Sequence, residues 1–504
     1  MFLLVELITQ FLVNYTFQEM NSLKDKTISS FFWRLLERGG NQAVALIVQV
    51  IMARLLAPSD FGLLAILLVV VNVGNILVQS GLNSALIQTA DIHKRDFSTV
   101  LWMSLSIAIV LYTLVFILAP YLASFYSSPI LESTLRVISL ILPIYAVSSV
   151  FSAYIQRDLD FKKVFNATVA ATFTSGILGI AAAIIGLGLW ALVIQQISYA
   201  LVNCIALGLQ AKWKPRFVFE IQSGIKHLKY GWKILIPSLL ETGYDSLSDM
   251  IVGRQFGTEP LGYLSQGKKY PVALDSMIGG TVQPVMFAAV SRAQKSISDV
   301  KSIVKRTLKT SYFFVAPIMM TFALTAEPIV LLLLGEQWLS AVPFMQMYCL
   351  TSGLSSFHAI NYQTFNGMGR SDLFLKVKLI TVSYGVVFLL IACFIVQNIY
   401  AVTIAYMAAS LISTFVNSFP TKKLIGYSYF EQVRDIAPSI VLATTSVAVA
   451  SFAAALPLPI ILVAILQWII SFTCYFLLSK LFKVEELTYL IATTKEMINK
   501  NRTK

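Results

Sequence analysis

Charge is the scarce ingredient of this chain. Only 12% of its 504 residues are Asp, Glu, Lys or Arg, while 57% are hydrophobic; soluble domains carry about 25% charged residues. So few charges cannot coat a water-facing surface of this size, and lipid must supply most of the solvent. Histidine is scarcer still, with His93, His227 and His358 alone. The four cysteines, Cys204, Cys349, Cys393 and Cys474, stand singly inside apolar stretches without a CxxC pair. They read as packing residues, not as disulfide partners or metal ligands. There is no GxxxxGK[ST] phosphate loop, no HExxH and no Cys/His cluster, which removes built-in ATP hydrolysis and zinc catalysis from the candidate functions. Long polar loops are missing as well, so no soluble domain is expected. The expectation is a protein that is not an enzyme and carries no metal or cofactor.

What the chain has in abundance is long apolar runs. Stretches of about 20 apolar residues, the length that spans a bilayer, fall near Phe31–Ala53, Phe61–Ala85, Thr99–Tyr121, Leu135–Ile155, Val164–Gly186, Leu189–Leu209, Trp232–Val252, Tyr270–Val290, Ser311–Leu334, Ala341–Phe365, Leu375–Val396, Tyr400–Phe419, Ile436–Ala455 and Pro459–Leu481. The expected fold is an all-α membrane protein with about 14 transmembrane helices. The net charge of +13 is spread in short clusters between these runs. One set of alternate loops receives Lys24 and Lys26, His93 to Arg95, Arg157 with Lys162 and Lys163, Lys212 to Lys233, Arg292 to Lys309, Arg370 to Lys378, Lys422 to Arg434 and the Lys-rich tail. The other set is nearly bare, apart from Arg54, Arg136 and Arg254. That alternation places both termini in the cytoplasm, and it is not the footprint of nucleic acid binding. At the start, Met1 to Phe17 holds an apolar patch interrupted by Glu6, Gln10 and Asn14. It is too polar and short to span, so residues 1–20 read as an N-terminal extension, with Met20 as the expected biological start and the preceding residues either not native or a surface-lying helix.

An internal repeat is visible. The segment from Met52 to Leu64 lies over Val252 to Leu264 at an offset of 200 residues, with Arg54 over Arg254 and Gly62 over Gly262. Both copies are Arg-containing turns after the first span of a half. An even number of spans per copy makes the halves parallel repeats about an axis along the membrane normal. The expected organisation is a bundle of about six helices over residues 21–215, a second over 216–430, a helix pair over 431–482 and a basic cytoplasmic tail over 483–504, with a central cavity between the bundles.

Ionisable residues within spans are costly and tend to mark function. In the first span Arg34, Glu37, Arg38, Asn41 and Gln42 share one helical face. The seventh carries Glu241, Asp245 and Asp249 at successive i, i+4 steps, an acidic face. The eighth adds Lys268, Lys269 and Asp275, and the tenth adds His358. Two readings stay open for the arginines. Arg34 and Arg38 could lie in the headgroup zone against lipid phosphate, or Arg34, Arg38, Arg54 and Arg254 could line a cavity for an anionic, phosphate-bearing substrate, since the planar guanidinium grips phosphate oxygens. For Glu37, Glu241, Asp245, Asp249 and Asp275 the choice is ion pairing against cation or proton coupling. For His358 it is a satisfied packing residue against a proton carrier.

At its motifs the sequence resembles a known family. Arg54-Leu55-Leu56-Ala57-Pro58-Ser59-Asp60-Phe61-Gly62 is similar to the R-L-L-x-P-x-D/E-F-G turn of the Wzx-like bacterial polysaccharide flippases, a branch of the multidrug/oligosaccharidyl-lipid/polysaccharide exporter (MOP) superfamily. Ile251-Val252-Gly253-Arg254, Gln283-Pro284-Val285-Met286-Phe287, Leu334-Gly335-Glu336-Gln337-Trp338 and Gly367-Met368-Gly369-Arg370-Ser371-Asp372 agree in order, and the likeness is to the colanic and teichuronic acid exporter type. The resemblance implies transport of undecaprenyl-diphosphate-linked oligosaccharide repeat units across the bacterial inner membrane for surface polysaccharide synthesis. It also implies ion-coupled alternating access driven by H+ or Na+, a monomer, and a polysaccharide polymerase and chain-length proteins as partners beside the lipid-linked oligosaccharide and membrane lipids. A drug/cation antiporter of the same superfamily and a membrane polysaccharide polymerase or ligase are the alternatives.

Overall fold

The computed structural model describes residues 41–488 apart from 43, 80, 89–91 and 159. Within these residues the chain is helical throughout, without a strand. The helices are α1 (Val44–Leu55), α2 (Pro58–Gln79), α3 (Leu82–Gln88), α4 (Lys94–Phe125), α5 (Ile130–Ile138), α6 (Ile141–Arg157), α7 (Phe161–Ile184), α8 (Leu189–Gln210), α9 (Ile221–Phe256), α10 (Thr258–Ala293), α11 (Ile297–Leu324), α12 (Ala326–Leu333), α13 (Val342–Gly367), α14 (Ser371–Leu390), α15 (Ile399–Ile425), α16 (Tyr429–Ser451) and α17 (Ile460–Leu481). Ten spans among the described residues are long and apolar enough to cross a membrane, or eleven with α10, which is bent by 40° between Thr258–Met277 and Val282–Ala293. The chain is an all-α, multi-pass membrane protein.

The expected spans all fall on helices where they are described, with shifted ends. The fourth is split into α5 and α6, and the seventh begins earlier, at Ile221. Neither α9 nor α13 is among the ten apolar spans. Each carries polar residues through its middle, Asp245 and Asp249 in α9 and Ser356, His358 and Asn361 in α13, which lowers its hydropathy although its length suffices. Of the expected first span only α1 is described, and Arg34, Glu37 and Arg38 lie outside the described residues.

The helix ends follow from local chemistry. Ser428 and Glu431 form a reciprocal capping box at the start of α16, with the Ser428 N–H donating to the Glu431 carboxylate at 2.8 Å. Asn398 accepts from the Tyr400 N–H at 2.8 Å to open α15, and Gly426 closes that helix at φ +66. Side-chain sorting follows membrane logic. On α4, Ile109, Val110, Leu114, Ile117 and Tyr121 face outward, whereas Ser98, Thr99, Ser104, Ala108 and Ala119 are buried. Large apolar groups meet lipid and small ones let helices approach.

The described chain separates into two compact units, one ending at Ser265 and one starting at Gln266. In the first, α7 packs along α8, α4 along α6, and α9 against α2. The segment between α8 and α9 is strapped to α4: Trp213 is buried against Phe97, Phe151 and Tyr154, and the Trp102 Nε1–H donates to the Arg216 carbonyl at 2.9 Å. In the second, α11 is the hub, packing on α13 and α16, and α16 packs on α17.

Candidate functional site

The turn carrying the Arg54 motif is built around backbone contacts. Arg54 is exposed near the end of α1. Asp60 accepts from the Ala57 N–H at 3.3 Å and from the Leu189 N–H, so one carboxylate caps the starts of both α2 and α8. Two residues on, Gly62 meets the start of α10: a Cβ there would lie 1.7 Å from the Thr258 carbonyl oxygen. Reciprocally, a Cβ at Gly262 would lie 2.0 Å from the Pro58 carbonyl oxygen. Pro58 and Thr258, like Gly62 and Gly262, are 200 residues apart, so the crossing has the reciprocity that a two-fold relation between the turns would generate. Only glycine permits this approach.

Arg254, the repeat partner of Arg54, is exposed near the end of α9, with its guanidinium over the Phe125 ring at 5.0 Å. The neighbouring Tyr126 hydroxyl donates to the Met250 carbonyl at 3.2 Å, tying the end of α4 to the same helix. No carboxylate pairs with Arg254 among the described residues. Arg136, the third basic residue of the bare loops, is different: it bonds Glu132 at 2.9 Å and lies 4.5 Å from the Phe116 ring centroid.

In the second unit, Asp275 of α10 accepts from the Ser355 hydroxyl of α13. Tyr312 of α11 interacts electrostatically with Asp275, and its hydroxyl is buried with no hydrogen-bond partner. His358, one turn beyond Ser355, is fully engaged: its Nδ1 accepts from Asn417 at 2.9 Å and its Nε2 lies 3.2 Å from Ser410. Of the two readings of His358, this geometry favours the packing residue. Beside it, Asn361 donates to Gln432 at 3.0 Å and Ser418 donates to the same Gln432 oxygen at 3.3 Å, a buried network joining α13, α15 and α16.

The remaining expected residues lie on α9 and α10. Asp245 is exposed and Asp249 half-buried along α9; Glu241 lies on that helix, its side chain outside the description. Lys268 and Lys269 are half-buried on α10. The lysines read from sequence as loop charge at Lys301, Lys305 and Lys309 form instead a ladder on α11. Lys301 pairs with Glu431 at 3.3 Å, Lys305 with Asp435 at 3.3 Å, and Lys309 with Glu485 at 2.5 Å and Glu486 at 3.1 Å. Outside the spans, Lys309 holds the Glu485 carboxyl below its ordinary range by hydrogen bond and charge. Among the described residues no group of His, Cys, Asp and Glu could hold a metal ion. Sequence reasoning missed Asp60, the glycine crossing, Ser355 and Tyr312. Only the glycines left a signal, as matched positions in the repeat.

Residues 51–343 match a family model described as "Polysaccharide biosynthesis protein". Among curated proteins the chain is 24% identical over 322 residues to the succinoglycan biosynthesis transport protein ExoT of Rhizobium meliloti, covering 64% of this chain and 65% of that one. It is 22% identical over 423 residues to the lipopolysaccharide biosynthesis protein WzxC of Escherichia coli, covering 82% and 84%. The alignment with ExoT thus spans just under two thirds of that protein. Among solved structures, the lipid II flippase MurJ in an inward closed conformation shares the fold with a TM-score of 0.74 and 13% identity, over 91% of this chain and 98% of that one.

Proposed function

Because the chain belongs to the polysaccharide biosynthesis protein family, we propose that it is a flippase carrying undecaprenyl-diphosphate-linked oligosaccharide repeat units from the inner to the outer leaflet of a bacterial inner membrane. Two relatives bear names of polysaccharide transport or biosynthesis, and the fold is shared with a lipid II flippase. The observation within the molecule that carries the reading is Arg254, an exposed guanidinium near the end of α9 that lacks a carboxylate partner among the described residues. In low dielectric such a cation calls for an anion, and the planar fork fits the oxygens of a diphosphate. Arg54 stands at the repeat-related position, and Arg34 and Arg38 are assigned to the same anion-binding set.

The proposed topology counts α1, α9, α10 and α13 with the ten apolar spans, giving about 14 crossings with both termini cytoplasmic. The arginine turns then lie at the outer face. The glycine crossing, where the starts of α2 and α10 meet backbone to backbone, lies at that face in this topology. Alternating access consists of separating these helices while the cytoplasmic face closes, driven by an H+ or Na+ gradient. Glu37, Glu241, Asp245 and Asp249 are carried as candidate gating or coupling carboxylates. The protein works as a monomer, handing its product to a polymerase and chain-length proteins.

Deleting the gene tests the reading. Lipid-linked single repeat units should accumulate on the inner leaflet and be rescued by the full-length chain. Accumulation on the outer leaflet would make the protein a polymerase or ligase, and normal polysaccharide with altered drug resistance would make it an antiporter.

A further inference from the structure

Asp275 is a candidate coupling carboxylate with a hydrogen-bond partner on a neighbouring helix. A carboxylate inside a spanning helix costs several kcal/mol unless it is paired, hydrogen-bonded or neutralised. Around Asp275 the described residues supply no cation. Its hydrogen-bond partner is the Ser355 hydroxyl from α13, and the Tyr312 phenol on α11 lies near enough to interact with it electrostatically. The nearest basic residues of its own helix, Lys268 and Lys269, stand seven and six positions earlier, roughly 9–10 Å along the helix axis. His358 on α13 has both ring nitrogens occupied by Asn417 and Ser410.

The second observation is Tyr312 itself. It is 2% exposed, and its hydroxyl has no hydrogen-bond partner. An idle buried hydroxyl is destabilising, so a second state in which it is used offsets that cost. A carboxylate accepts from both Ser355 and Tyr312, whereas a protonated carboxyl needs only one of them. The two protonation states therefore demand different hydrogen bonding from α11 and α13. Asp275 also lies two residues before Met277, where the first straight part of α10 ends at the 40° bend. A change in which helix holds Asp275 would act on that bend.

The geometry points to Asp275, Ser355 and Tyr312 as a proton-binding site that loads and unloads once per transport cycle. A proton from the aqueous phase adds to the Asp275 carboxylate to give the neutral acid, and the same proton leaves when Tyr312 and Ser355 together hold the carboxylate. Four side-chain oxygens, two of the carboxylate and two hydroxyls, suffice for a proton, while Na+ wants five or six ligands. This inference names the coupling ion of the transporter reading and rests on it, but its first readout needs no transported substrate.

The test is infrared difference spectroscopy of the purified full-length protein in lipid nanodiscs, taken through a pH titration. Acidification should bring up a protonated-carboxyl band that is absent in Asp275→Asn and that appears at a higher pH in Tyr312→Phe, where the carboxylate loses a hydrogen bond that the neutral acid does not use. The same titrating band in Asp275→Asn as in the wild type would overturn the assignment. Loss of the band on adding Na+ at constant pH would overturn the proton in favour of sodium. In vesicles, the ratio of transport with an imposed pH gradient to transport without one should fall to one in Asp275→Asn, and a wild-type ratio would overturn coupling. A titrating band in a protein that transports no lipid-linked glycan would refute the transporter reading and leave the proton site standing.

Discussion

Basic residues are held in two opposite ways in this molecule. On α11, Lys301, Lys305 and Lys309 each face a carboxylate from α16 or from the segment after α17. At the turn after α9, Arg254 rests on an aromatic ring and no described carboxylate neutralises it. The charge tally of the sequence counts both regions alike. Only the partners separate charge spent on joining helices from charge available to an anionic ligand. The turn region is also the more tightly constrained of the two, since backbone meets backbone at Gly62 and Gly262 while the lysine ladder is made of flexible side chains.

This contrast can be broken at several points. Gly62→Leu should have the largest effect, because its side chain would occupy the space of the Thr258 carbonyl and hold α2 away from α10. Surface polysaccharide should fall to the level of the deletion strain even where the variant still inserts, as checked by membrane fractionation. Next, Arg254→Ala should cost a charge-assisted contact of about 2–3 kcal/mol, or roughly 30- to 150-fold in export rate, with the same direction for Arg54→Ala. Replacing Arg254 by Lys should recover part of it, because charge is kept and the fork is lost. Asp60→Ala removes a cap from two helices and should lower stability by about 1–2 kcal/mol, read as thermal unfolding of the purified protein. Lys305→Ala should cost about 1 kcal/mol, because Lys305 itself is half exposed and the largely buried Asp435 keeps the Tyr427 hydroxyl as a donor, and should leave export unchanged. An export defect there as deep as that of Arg254→Ala would erase the distinction between the two regions.

The smallest effect is one of pH. Lys309 depresses the Glu485 carboxyl in the folded state, so the pair adds stability above the unfolded carboxylate's pKa and loses it as pH falls through the lowered folded value. Thermal stability should therefore drop on strong acidification in the wild type, and by less in Lys309→Ala. The high exposure of Glu485 keeps the difference small.

Much of the helical layout was legible in apolar run length, because a bilayer imposes one length on every span. The polarity of α9 and α13 was legible too, but not its meaning. His358 could be read as proton carrier or packing residue until Asn417, 59 residues later, was seen to occupy its ring. The glycine crossing depends on partners 200 residues apart, and a glycine announces neither its neighbour nor the distance of approach. Asp60 stood in the sequence as one letter of a motif, while its physical task, bridging to the start of α8, appears only in the folded chain. The lysine ladder was misjudged as loop charge because helix α11 begins at Ile297, well before the apolar run starts at Ser311.

Arg254, with its repeat counterpart Arg54, is proposed to serve a diphosphate-linked lipid. That role is tested most directly by reconstituting the purified protein in vesicles loaded with an undecaprenyl-diphosphate oligosaccharide and following how fast the glycan becomes accessible to an impermeant lectin. Wild-type protein should expose the inner-leaflet pool and the Arg54→Ala, Arg254→Ala double variant should not. Equal rates for the two proteins would contradict the account.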